Sequence, residues 1–120
     1  MSKRTALLLT AVLAMAAAFP GCGSDSPTGP SGVDVVVTVQ GIQGSMSFSP
    51  GTATIRAGQT VAWRNGDSVS HDVEEDTGAF GTGNIAPGAT SMPIRMSVAG
   101  GFAYHCTIHP SMVGSLSVSP

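Results

Sequence analysis

The chain has 120 residues, with five basic against seven acidic side chains, a net charge of −2, and only 10% charged residues. That length fits one small domain with one core. The weakly acidic balance argues against a nucleic-acid partner, which would call for a basic face.

Residues 1–21 read as an export signal. Lys3 and Arg4 give a positive start, and Thr5 to Phe19 give a Leu- and Ala-rich apolar run too short to span a bilayer comfortably. The run ends Phe19-Pro20-Gly21-Cys22, which resembles a bacterial lipoprotein signal, where a small residue precedes the cysteine that is lipidated. The resemblance implies a lipid on Cys22 and a protein held on a membrane, in the bacterial periplasm or at the cell surface. Ordinary cleavage nearby, with Cys22 an incidental free thiol, is the alternative. Residues 22–32 then form a flexible tether with almost no apolar content. The remaining module, residues 33–120, is expected to be monomeric. In the mature part, residues 22–120, three arginines face seven acids, a net of −4.

From Val33 the composition is that of a β protein, rich in Val, Thr, Ser and Gly without a period of 3.6. Strands are expected over 33–40, 46–48, 52–56, 59–65 and 70–74, the last running into Glu75-Asp76. Residues 77–88 read as a long loop. A strand over Ala89 to Val98 would place Met92, Ile94, Met96 and Val98 on one face, with Pro93 marking an edge or a bulge. Two final strands flank residues 106–112. Seven or eight short strands in this length point to an all-β sandwich or closed barrel.

The chemistry concentrates in Phe102-Ala-Tyr-His-Cys-Thr-Ile-His-Pro-Ser-Met112. Cys106, His109 and Met112 are evenly spaced by three, as on a helix face, but Gly100-Gly101, Pro110 and the alternating Phe102 and Tyr104 favour strand, loop, strand. Side-chain parity puts Phe102, Tyr104 and Cys106 on one face and His105 on the other. Thiolate, imidazole and thioether together suit a thiophilic metal, and a second imidazole completes a two-histidine, one-cysteine plane with a weak axial thioether, the blue-copper arrangement. Three histidines are present. With His105 facing out, His71 remains as the second imidazole.

With Trp63-Arg-Asn65-Gly-Asp67-Ser-Val-Ser-His71 upstream, Phe48-Ser-Pro50, and Ala86-Pro87-Gly88, residues 46–119 resemble the cupredoxins of the plastocyanin, pseudoazurin and amicyanin group. The short Cys-x-x-His-x-x-Met loop is similar to that of amicyanin. The resemblance implies a Greek-key β-sandwich and one mononuclear type 1 copper ion held by His71, Cys106, His109 and Met112. It also implies that Asn65 fixes the ligand loops by hydrogen bonding. Asp72 departs from the asparagine common in the group. Its backbone N–H is expected to donate to the Cys106 sulfur, and its carboxylate to stabilise the oxidised metal.

Taken singly, Cys106 and Met112 would be ordinary core residues and His71 an ordinary loop histidine; their joint spacing reverses that. Asp72, Glu74, Glu75 and Asp76 read as a solvated acidic edge, or secondarily as a steering surface for a basic partner. A thioether is a poor zinc ligand. A Cys106–His109 thiol enzyme lacks an orienting third group, and three histidines cannot supply a second copper site. One-electron transfer between redox partner proteins is therefore expected, with electrons passing through His109 and a docking patch of Ile108, Pro110, Ile85 and Pro87. Copper delivery by the same fold is the runner-up, and an enzyme is not expected.

Overall fold

The structure, a computed structural model, describes residues 32–120. The export signal, Cys22 and most of the tether lie outside the described residues.

Among the described residues, eight strands form in chain order. They are β1 (Val35–Val39), β2 (Phe48–Ser49), β3 (Thr52–Arg56), β4 (Thr60–Asn65), β5 (Glu74–Glu75), β6 (Ile94–Arg95), β7 (Gly100–His105) and β8 (Val113–Ser119). They build two four-stranded sheets, in the orders β2-β1-β4-β6 and β3-β8-β7-β5. The expected all-β sandwich is present. Each sheet contains one parallel pair, β1 with β4 and β3 with β8, so chain neighbours are separated across the two layers.

Period-two alternation builds the core. In β3, Ala53 and Ile55 point inward while Thr52, Thr54 and Arg56 stay exposed. In β4, Val61 and Trp63 are wholly buried, and Tyr104, Leu116 and Val118 meet them from the other sheet. Trp63 lies edge-on to Tyr104 at 5.4 Å and stacks on Phe80 at 5.7 Å; Tyr104 in turn lies edge-on to Phe48 at 4.9 Å. Such pairs add about 0.5–1.5 kcal/mol each beyond area burial. Tyr104 fits because Gly114, its partner across β7 and β8, has no side chain: a Cβ there would lie 2.5 Å from the Tyr104 oxygen.

Four expectations are corrected. The strand expected over Ala89 to Val98 shrinks to Ile94–Arg95, with one isolated bridge from Thr90 to Arg64. Pro93 lacks the N–H needed to continue a ladder. Only Met96 of the expected inward set is buried, whereas Met92 is 80% and Val98 68% exposed. A 3-10 turn, Gly44–Met46, replaces the start of the second strand and leaves Met46 exposed. Residues 70–74 do not form a ladder either. His71 makes an isolated bridge with Ile85, and the strand begins only at Glu74. Finally, Glu75 is buried, not solvated: its carboxylate accepts hydrogen bonds from Thr77 N–H and Oγ1–H and from Ala79 N–H. Those bonds hold its pKa below the usual value, the Thr77 hydroxyl contributing most.

The strand directions give the domain two poles. β4 ends at Asn65, β7 ends at His105 and β8 begins at Val113, all at one pole. The expected ligands fall on the loops there.

Candidate metal centre

The upstream half of the centre is organised by Asn65, the last residue of β4. Its buried amide donates to the carbonyls of Val69 at 2.7 Å and Ile85 at 2.9 Å, and its oxygen accepts from Asp67 N–H at 2.9 Å. One side chain therefore ties the loop after β4 to the segment that carries Ile85. His71 and Ile85 exchange backbone hydrogen bonds of 3.1 and 2.7 Å. His71 is thus pinned through its main chain and wholly buried.

The ring of His71 is fixed from its far side. Its Nε2 lies 2.8 Å from Asp67 Oδ2, which leaves Nδ1 aimed inward, 3.8 Å from Cys106 Sγ. A histidine that donates one ring N–H to a carboxylate presents its other nitrogen, unprotonated, to a metal. The hydrogen bond from His71, followed by that from Ser68 N–H, holds the Asp67 carboxyl below the usual range. Asp67 was not among the residues singled out for a role. A carboxylate four residues before a ligand histidine was the available signal.

The downstream half is a seven-residue loop closed on itself. Cys106 N–H donates to Met112 C=O at 3.1 Å, and Met112 N–H donates to His109 C=O at 2.9 Å. Cys106 ends the inward face begun by Tyr104, and Met112 sits just before β8; both are wholly buried. His109 is half-buried, between them in sequence. Pro110 and Ser111 are exposed, which places the tip of this loop on the surface.

Asp72 joins the two halves, but not through its N–H. Its carboxylate accepts from Thr107 N–H at 2.6 Å and from the Thr107 hydroxyl. Among the described residues no hydrogen bond runs from Asp72 N–H to the Cys106 sulfur, so the expected donor is replaced by a side-chain clamp. Burial works to raise the pKa of Asp72, and the Thr107 bonds outweigh it, leaving the carboxyl below its usual value. His105 points outward as expected, its Nδ1 2.8 Å from Asp76 Oδ1. Of the expected acidic edge only Glu75 is buried; Glu74 and Asp76 are exposed, and Asp72 and Asp76 hydrogen-bond Thr107 and His105.

The ligand atoms of His71, Cys106 and His109 all lie within 4.8 Å of one another. The rings of His71 and His109 are 5.1 Å apart at 60°. His109 Nδ1 is buried without a hydrogen-bond partner. A buried imidazole nitrogen normally finds a partner, and here the converging thiol and second imidazole supply the reason: the nitrogen is kept for a metal. Two imidazoles, one thiolate and the buried Met112 thioether form a set suited to copper and poorly suited to zinc. The fit is direct, and His71, Cys106, His109 and Met112 are positioned to bind one copper ion.

A single-copper site of this composition at one pole of a two-sheet β-sandwich defines a cupredoxin. Residues 35–119 match the family model for copper-binding proteins of the plastocyanin/azurin family, and the chain belongs to that family. It is 32% identical over 99 residues to amicyanin from Paracoccus versutus, a match spanning 79% of this chain and 74% of that protein. It is 30% identical over 98 residues to plastocyanin from Scenedesmus fuscus, across 71% of this chain and 99% of that one. Among solved structures, a purple cupredoxin from Nitrosopumilus maritimus superposes with a TM-score of 0.64 at 27% identity, covering 72% of this chain and all of that one.

Proposed function

We propose that this protein carries single electrons between redox partner proteins through one copper ion, and that it works outside the cytoplasm, tethered to a membrane by a lipid on Cys22. The observation that carries the electron-transfer reading is the convergence of His71, Cys106 and His109 ligand atoms within 4.8 Å, with His109 Nδ1 otherwise unpartnered. Copper bound there supplies a one-electron couple. Four protein donors leave no open position for a substrate, which separates this centre from a catalytic one.

The chain's own residues set the conditions for that couple. Asn65 and the His71–Ile85 bridge hold one loop, and the closed 106–112 loop holds the other. Each ligand is tied to the sandwich through main-chain bonds, so the donors keep one geometry in both oxidation states. Trp63, Tyr104, Ile85 and Met112 bury the inner side and exclude water. His109 alone is partly exposed, giving electrons a short route to the surface.

The docking patch around His109 differs from the one expected. Ile85 is buried, because it is the backbone partner of His71, and so takes no part. Ile108 is 50% exposed and Val69 43% exposed. Pro87 and Pro110 of the expected patch are exposed, and with Ile108 and Val69 they offer apolar surface for brief redox encounters. The lipid on Cys22 and the periplasmic or cell-surface location are supported by the Phe19-Pro20-Gly21-Cys22 sequence and the tether that follows.

The test is the visible spectrum of the purified protein titrated with Cu(II) and then reduced. An intense thiolate-to-copper band that bleaches reversibly and disappears in Cys106→Ala is the expected result. A colourless protein would reject the assembled ligand set. A coloured protein that loses its copper to a chelator within a few redox cycles would instead mark a copper-delivery protein.

A further inference from the structure

The pole opposite the metal has its own composition. β3 ends there at Arg56 beside Ser119, and β4 begins there at Thr60. Gly58 N–H donates to Met96 C=O and Met96 N–H donates to Gln59 C=O, stitching the turn after β3 to β6. Arg95 stands opposite Thr60 in the register of β4 with β6. Thr60 also receives the incoming chain: its hydroxyl donates to Gly32 C=O, and its N–H donates to the Asp34 carboxylate. Two of the three described arginines, Arg56 and Arg95, therefore lie exposed at this pole, where the chain enters the domain. The third, Arg64, is next to Asn65 at the other end.

Next to Arg95 is an apolar groove of about 250 Å³, lined chiefly by Phe80, Phe102, Ile94, Met96 and Val98. Val98 is 68% exposed above it. Among the described residues, acidic groups near this face hydrogen-bond within the domain and are not paired with either arginine. Asp34 is bound to Thr60, Glu75 is bound to Thr77 and Ala79, and Asp76 turns toward His105.

We propose that this pole lies against an anionic lipid bilayer. Arg56 and Arg95 meet the headgroups, Val98 enters the interface, and the metal pole is held facing away from the membrane. The proposal builds on the tethered reading above, and the structure adds a side. Only ten residues, Gly23 to Gly32, separate Cys22 from the first described strand region, a reach of at most about 35 Å. The tether joins the domain at this pole, so a lipid on Cys22 brings this pole nearer the surface than the copper. Two arginines and one valine bind a membrane weakly by themselves. A tether makes the contact intramolecular, at an effective concentration in the millimolar range, so a weak contact suffices to orient the domain. The copper face, with Ile108 and Pro110, then stays open to partners arriving from solution.

Backbone amide exchange, read by mass spectrometry on the copper-loaded full-length protein, tests this. The protein is reconstituted into phosphatidylcholine vesicles with and without phosphatidylglycerol, and the mass of its N-terminal peptide is recorded. With phosphatidylglycerol, exchange slows over Arg56–Gly58 and Ile94–Val98 but not over 107–112. Arg56→Glu with Arg95→Glu removes that protection, by about thirtyfold or more, since each surface cation contributes about 1 kcal/mol. Equal exchange in both vesicle types by a protein whose peptide carries the lipid mass overturns the membrane face and leaves the anchor standing. An unlipidated peptide rejects the anchor, and slowed exchange of that soluble protein on added phosphatidylglycerol vesicles would still uphold the face. Protection over 107–112 instead, or protection that rises with protein concentration without vesicles, assigns the face to another partner and overturns the proposal.

Discussion

The Nε2 of His71 donates to Asp67 Oδ2 across 2.8 Å, although the two side chains belong to a loop with no regular secondary structure. The loop keeps its shape because Asn65 accepts from Asp67 N–H and reaches past it to Val69 and Ile85. One amide thus positions the carboxylate that positions the ligand ring.

Replacing Asp67 by alanine frees the His71 ring without touching a ligand. Copper affinity in a competition titration is expected to fall by about 10–100-fold, the usual cost of losing a partner behind a metal-bound histidine. The thiolate-to-copper band should persist, because Cys106 is untouched. An affinity equal to that of the parent protein would show that the main-chain bridge to Ile85 alone fixes the ring.

Asp72 places a carboxylate against Thr107, directly after the ligand cysteine. A fixed negative charge there favours the more positive, oxidised metal. Asp72→Asn, which keeps an acceptor for Thr107, is expected to raise the reduction potential measured by protein-film voltammetry. Identical potentials would remove the carboxylate from the account.

Glu75, Asp67 and Asp72 all have folded-state pKa values below their usual values of 4.5 for Glu and 3.8 for Asp. For a lowered carboxylate, the stabilisation is present above the unfolded-state value and disappears as pH falls through the folded-state value. Thermal unfolding of the metal-free protein should therefore be insensitive to pH near neutrality and fall steeply below about pH 4. Glu75→Gln, at the one of these carboxylates remote from the metal, should make that acid limb shallower. An unchanged limb would mean that its hydrogen bonds survive protonation.

Gly114 is required by Tyr104. A Cβ at 114 would sit 2.5 to 2.7 Å from the Tyr104 oxygen and ring, and that ring is wedged between Phe48 and Trp63. Gly114→Ala is expected to destabilise the protein by about 1–3 kcal/mol in denaturant unfolding, the range for overpacking. Tyr104→Phe should be close to neutral, because the buried hydroxyl has no hydrogen-bond partner to lose. Burial has already raised the pKa of that hydroxyl to about 12, so it stays neutral.

Period-two alternation was enough to identify β3, β4, β7 and β8, because each buries one face continuously against the opposite sheet. It failed over Ala89 to Val98, where Met92 and Val98 continue the apolar rhythm at an edge that has nothing to bury them. It failed again at Glu75, whose carboxylate is satisfied by Thr77 and Ala79, neighbours that a local turn brings within reach.

The ligand set was legible because coordination chemistry restricts it. A cysteine, a histidine and a methionine at spacings of three, with one inward-facing histidine upstream, leave few combinations. Tertiary structure alone decided that Asp67, not a backbone carbonyl, holds the far side of His71, and that Asp72 clamps Thr107 by its side chain. It also decided that Ile85 is buried as a bridge partner, and that Arg56 and Arg95 share the pole where the chain enters. These are meetings between residues distant in sequence or bent together by loops. Their geometry follows from the packing of the two sheets and from the few hydrogen bonds, centred on Asn65, that shape the loops between them.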